Sequence, residues 1–163
     1  MPEHFLDQAK KLIQPQGRGA PRQVDMRRVI SACYYAVFHF VVREVADQYI
    51  GRAQRGPPLH VLAYRSVDHR KLASLCADVR EAKGRAAKYW PGHGFSKQVR
   101  DFAGSALELR EKRNSADYDP SLKFRMADAA AVIATAQNAI ERFASADPEE
   151  RRAFLALLVF LPR

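Results

Sequence analysis

Cysteine is scarce in this chain, with two among 163 residues. Two cannot build a disulfide framework, and Cys33 and Cys76 both fall inside apolar helical patterns, so the chain reads as a reduced, cytoplasmic protein. No C-x-x-C pair occurs, which excludes a zinc site of that type. No apolar run comes near the ~20 residues that a bilayer span requires. The opening stretch MPEHFLDQAKKL lacks the basic-then-apolar order of a secretory signal. A glycine-rich phosphate loop, a nucleophile elbow and a metal-spaced cluster are all missing. GPP at 56–58 and PGHG at 91–94 are turn chemistry. These absences argue against a membrane protein, a secreted disulfide scaffold and a small-molecule enzyme, and neither a metal nor a cofactor is expected.

Positive charge is plentiful. Lys and Arg number 27 against 18 Asp and Glu, a net charge of +9 that predicts attraction to polyanions. The length suits one domain, which should bury roughly 68–70% of the surface its unfolded chain exposes.

The apolar period is helical nearly throughout, and no stretch alternates as a strand does. A first helix is predicted over about 3–14, ending at QPQGRGAPR, whose prolines and glycines break it. A second covers about 22–50, with Met26, Val29, Ile30, Cys33, Val37, Val41 and Val45 at steps of three and four. It is apolar on almost every side between Ile30 and Val42, which places it at the centre. Residues 51–60 read as a loop. Asp68 caps a third helix carrying Leu72, Leu75, Cys76 and Val79 inward, and 84–96 reads as a fraying end followed by a loop. Ser96 caps a fourth helix striped by Val99, Phe102, Ala103, Ala106 and Leu107, which DYDP at 117–120 ends. A fifth is expected over about 122–145. Asp147, Pro148, Glu149 and Glu150 open a last helix, RRAFLALLVFLP, which either packs back on the bundle or joins two protomers. The expectation is one all-α domain: an up-and-down bundle of four to five helices over 1–145, with an appended apolar C-terminal helix over 146–163.

The fourth helix carries an oddity. At about 100° per residue, Arg113 falls within roughly 20° of the azimuth of Phe102, so a permanent charge projects along the core-facing stripe. It needs carboxylate, carbonyl or anionic partners, and Asp117 stands four residues on. Tyr34, Tyr35 and His39 read as core aromatics, and His69 beside Asp68 as part of a helix start. Arg18, Arg22, Arg27 and Arg28 cluster around the start of the second helix. Lys83, Arg85, Lys88, Tyr89, Trp90, His93 and Phe95 interleave charge with rings. Arg27, Arg28, Arg110, Lys88 and Trp90 are candidate RNA contacts, since planar groups stack on unpaired bases.

Two segments together resemble the HEPN family of small helical bundles, in its short stand-alone prokaryotic branch: RRVISACYYAVFHFV at 27–41, and LREKRNSADYDP at 109–120 followed by MADAAAVIATAQNAI at 126–140. The resemblance spans roughly 1–145. It implies metal-independent RNA cleavage at a groove between two protomers, in which an arginine, often followed by Asn, holds the scissile phosphate. It also implies a toxin–antitoxin or defence setting. Arg113 and Asn114 match the Arg-Asn pair. The family's histidine, four to six residues later, has no counterpart; Asp117 and Tyr118 stand in its place, as is typical of the branch. Two functions follow as expectations. One is an RNA-associated, ribonuclease-like homodimer with Arg113, Asn114, Asp117 and Tyr118 at its site. The other is a non-catalytic module pairing with a nucleotidyltransferase-fold protein.

Overall fold

A computed structural model describes residues 2–14, 22–90 and 92–160. Arg18 and most of the predicted break at 15–21 therefore lie outside the described residues. Among the described residues there are eight α-helices and no strand: α1 (Pro2–Leu12), α2 (Gln23–Tyr49), α3 (Pro58–Tyr64), α4 (His69–Glu81), α5 (Gly84–Tyr89), α6 (Lys97–Tyr118), α7 (Met126–Ser145) and α8 (Pro148–Val159). It is an all-α bundle closed by a C-terminal helix.

α2 is the axle. Its valines have modest helix propensity and are held by packing, with α1, α6 and α7 all laid along it. By length and composition alone α2 is long and apolar enough to cross a membrane, which corrects the expectation that no such run exists. Yet 72% of its most apolar stretch is buried inside the bundle, as befits a core helix. α4 packs on the far side of α6, so α6 is sandwiched between α4, α7 and α2.

Three start signals act as the sequence implies. The Asp68 carboxylate accepts from the Lys71 N–H at 2.8 Å, Ser96 Oγ accepts from Val99 N–H at 3.5 Å, and Asp147 Oδ1 accepts from the N–H groups of Glu149 and Glu150 at 2.8 and 3.2 Å. α8 folds back onto the bundle. Phe154, Leu155, Leu157 and Leu158 are buried, and the Phe154 ring lies 5.2 Å from Phe143 and 5.6 Å from Phe102. Phe102 and Phe143 complete the triangle at 4.6 Å. Each such pair contributes about 0.5–1.5 kcal/mol beyond the area it buries.

The structure departs from the sequence reading at the connections. Residues 51–60 are not simply a loop: a 3-10 turn at Arg52–Gln54 leads into α3, whose Pro58 sits in the first turn, where its missing N–H costs nothing. α3 is clamped to α2 by buried His60, whose Nε2 meets the Asp47 carboxylate at 3.1 Å, and Arg55 pairs with the same carboxylate. Residues 84–89 form α5 rather than a fraying end. The turn comes earlier, at left-handed Ala82 (φ 49°), and Gly84 (φ 56°) starts the next helix with no room for a Cβ against the Asp78 carboxylate. Leu109, not Leu107, takes the fully buried place on α6.

α7 begins at Met126, four residues later than the sequence implies. The connection before it is pinned in a non-helical form by the start of α2. Arg27 donates to three carbonyls, Ala116 at 2.6 Å, Asp119 at 2.9 Å and Leu122 at 2.5 Å. Gln23 both donates to the Phe124 carbonyl (2.7 Å) and accepts from its N–H (2.9 Å). Leu122 is thereby left exposed in a connector.

Candidate functional site

The last two turns of α6 lie against the middle of α2, and Arg113 sits where they meet. Its azimuth relative to Phe102 carries it inward, and 19% of its side chain is exposed. Three side chains hold it. Nε faces the Asp117 carboxylate at 2.8 Å, Nη1 donates to Asn114 Oδ1 at 3.1 Å, and Nη2 donates to the Tyr35 hydroxyl at 2.6 Å. The guanidinium carbon also lies 5.3 Å from the Tyr35 ring, 6.0 Å from Tyr34 and 5.9 Å from Tyr118. Burial works against this charge, but the Tyr35 hydroxyl and Asp117 outweigh it and raise the Arg113 pKa above its ordinary value. Asp117 is steadied in turn by the Ser31 hydroxyl, which donates to its other oxygen.

The four residues proposed from the sequence as a catalytic set therefore form one constellation. Arg113 touches each of the other three, and Tyr118, 75% exposed, is its outermost member. Beside it runs an open groove of about 530 Å³ whose walls include Phe5, Arg28, Ser31, Tyr35 and Asp117.

Of the basic and aromatic residues proposed as RNA contacts, the structure brings some here and not others. Arg28 is exposed on the groove wall. Arg27 also lines it, but its guanidinium is committed to the three carbonyls at the end of α6 and to the Phe124 ring, 5.5 Å away. Arg110 is half-buried one turn before Arg113 and makes no hydrogen bond or ion pair among the described residues. Lys88 and Trp90 belong to the other end of the bundle. Trp90 stacks on Phe95 at 5.6 Å and shares a small cavity with Arg100, about 20 Å along α6 from Arg113 at 1.5 Å per residue.

Beneath the arginines lies a set of rings drawn from α1, α2, α3 and α4. The Phe5 and His39 rings stack at 5.0 Å, and His39 Nδ1 shares a 2.6 Å hydrogen bond with the Tyr64 hydroxyl. His69 does not serve the start of α4. Its ring turns inward to 3.9 Å from Phe38, and Nδ1 shares a 2.8 Å hydrogen bond with the Tyr34 hydroxyl. Burial pushes the Tyr34 pKa up to about 12, with Arg110 and Arg113 opposing, so this hydroxyl stays protonated. Burial lowers the pKa of both histidines. The charges of Arg113 and Arg110 add to the effect at His69, and His69 adds to it at His39.

Tyr35, Ser31 and His69 are the partners the sequence reading missed as members of a site. The YYA segment contained the signal for Tyr35, since that residue lies one step off the apolar stripe of α2. Nothing local marked His69 or Ser31, because their partners are far away in the chain.

The fold and the site together define a class: an all-α bundle with an arginine-centred polar cluster opening on a groove. No protein-family model matches the chain, and neither does any curated protein or solved structure. Among the described residues, no three His, Cys, Asp or Glu side chains converge as metal ligands would.

Proposed function

We propose that this chain is an RNA-associated protein of the HEPN kind, acting as a cytoplasmic homodimer in a toxin–antitoxin or defence setting and cleaving RNA without a metal. The observation that carries the reading is Arg113, a cation that cannot lose its proton, held by Asp117, Asn114 and Tyr35, of which Asp117 and Tyr35 line an open groove. A guanidinium fixed in this way grips a phosphate with little ordering left to do. The net charge of +9 draws in a polyanion from a distance, and exposed Tyr118 offers a face on which an unpaired base stacks. Cleavage is attack of the ribose 2′-hydroxyl on the adjacent phosphorus, with Arg113 countering the charge that builds on the phosphoryl oxygens.

The test is incubation with total RNA in EDTA, comparing wild type with Arg113→Ala and Arg113→Lys after thermal melts confirm folding. Wild type should cleave, and Arg113→Ala should be slower by about 10²-fold or more. Equal cleavage by all three, or none by any, overturns the nuclease reading.

One observation favours a second reading. Arg113 is already engaged by three side chains, through hydrogen bonds from Nη1 and Nη2 and an ion pair at Nε, as in a charge kept for structure, and this suits a non-catalytic module pairing with a nucleotidyltransferase-fold protein. Tight 1:1 co-purification with such a partner, together with RNA affinity that does not fall with salt, decides for it.

A further inference from the structure

At the end of α6 remote from Arg113, between α4, α5 and residues 92–95, lies a half-enclosed cavity of about 220 Å³. Its wall at the junction of α4 and α5 is built of small side chains, Ala82, Ala86 and Ala87, which is why room remains. The backbone around them is held back from filling it. Arg85 ties α5 to α8 by donating to the Leu157 carbonyl at 2.8 Å, and its own N–H meets the Asp78 carboxylate at 3.3 Å. On the other flank the Ser96 N–H donates to Glu150 at 2.7 Å. Protein interiors are close-packed, so a void of this size held open by polar bonds is a feature of the fold and not slack in it.

Two rings and one charge give the cavity its chemistry. Trp90 and Phe95, stacked at 5.6 Å with their planes 20° apart, form its aromatic side. Arg100, from the first turn of α6, is the one permanently charged residue that lines it among the described residues, and no carboxylate does. The guanidinium is braced by a single bond, from Nη1 to the Phe95 carbonyl at 3.0 Å, and its other nitrogens have no hydrogen-bond partner among the described residues. The neighbouring acid does not claim it, because Asp101 pairs with Lys97 and Arg142. The Trp90 indole N–H is likewise without a partner among the described residues.

We propose that this cavity binds a small aromatic carboxylate, with its ring beside Trp90, Phe95 and Val79 and its acid group on Arg100. The volume sets the size of the ligand: an apolar cavity of about 150 Å³ takes one benzene, and the extra space here admits a single acid group more. The charge sets the head group. A ligand ammonium has no acid to meet in the cavity, whereas a carboxylate finds the unclaimed Arg100 donors in the forked arrangement that suits it. Apolar burial and contact with the two rings hold the body of the ligand, and the guanidinium fixes which way it points. A polymer does not fit the cavity, which lies about 20 Å along α6 from Arg113 and is independent of the RNA surface proposed above.

Trp90 is the chain's one tryptophan, so its emission reports on the cavity directly. The experiment titrates benzoate into the full chain and follows Trp90 fluorescence together with the heat of binding. Both should change saturably, with half-saturation at about 10⁻⁴–10⁻³ M. Benzamide, an uncharged molecule of the same shape, should bind about tenfold more weakly. Arg100→Gln should erase that preference and leave benzamide binding as it was. Ala87→Leu, whose larger side chain occupies the cavity from a lining position, should abolish benzoate binding in a chain that thermal melts show to be folded. No saturable heat with benzoate, benzamide binding as tightly as benzoate, or unaltered benzoate affinity in either folded variant overturns the assignment.

Discussion

Along α6, the first turns and the last are packed by different chemistry. Around Phe102 the neighbours are Phe143 and Phe154, rings with no polar atom to satisfy. Around Arg113 every large neighbour carries one: Tyr34, Tyr35, Asn114, Asp117 and Tyr118. One helix thus binds a dry core and a hydrogen-bonded cluster to the same rigid rod. The difference teaches that apolar packing and the polar cluster have been separated by several turns of helix. Damage at the apolar end should unfold the molecule, whereas damage at the polar end should leave it folded and, on the function proposed above, cost it RNA cleavage.

The strongest way to break that division is Phe154→Ala. It removes a fully buried ring that touches both Phe102 and Phe143, and should cost about 3–5 kcal/mol in denaturant melts. The two thiols report the same event. Burial pushes the Cys33 pKa up to about 12 and raises that of Cys76 still further, so neither should react with a thiol reagent until the chain opens. Labelling should accelerate in Phe154→Ala and stay slow in Arg113→Lys.

A smaller effect, about 1 kcal/mol, is expected from Asp68→Ala, which deprives the Lys71 N–H of its acceptor. Hydrogen exchange should quicken in the first turn of α4. The His69 ring depends on that turn for its position, so its imidazole NMR signals should shift as its hydrogen bond to Tyr34 loosens.

The smallest effect is that of acid. The folded pKa values of His39 and His69 are lowered below the ordinary 6.5, so the unfolded chain takes up protons first. The stability these neutral rings contribute is fully present above about pH 6.5 and is lost as pH falls through their folded values. Melting temperature should therefore decline below that pH. His39→Gln or His69→Gln should flatten the decline, while Phe154→Ala should lower the whole curve without changing its slope.

The apolar end was far more legible in the sequence than the polar end, for a physical reason. Phe102, Ala106, Phe143 and Phe154 announce themselves by period, and Asp68, Ser96 and Asp147 by the local acceptors they bring to open N–H groups. The Arg113–Asp117 pair was legible as well, because four residues is one turn. What hid were contacts made across the chain. Arg27 looks like one of several surface arginines until the carbonyls of Ala116, Asp119 and Leu122 arrive beneath it. α3 hid behind Gly56, Pro57 and Pro58, which read as a turn, since the clamp between His60 and Asp47 needs α2 already in place. His69 looked like part of a helix start because its neighbour Asp68 is one, and only Tyr34, 35 positions earlier, turns it inward.

The placement of Phe154 also bears on how the molecule comes into being. Any folding intermediate in which α2, α6 and α7 have packed but α8 has not docked presents Phe102 and Phe143 to water around an unfilled hollow. In that interval it is open to chaperones and to self-association. Arrival of α8 closes the hollow, and the finished bundle becomes resistant to both at that step.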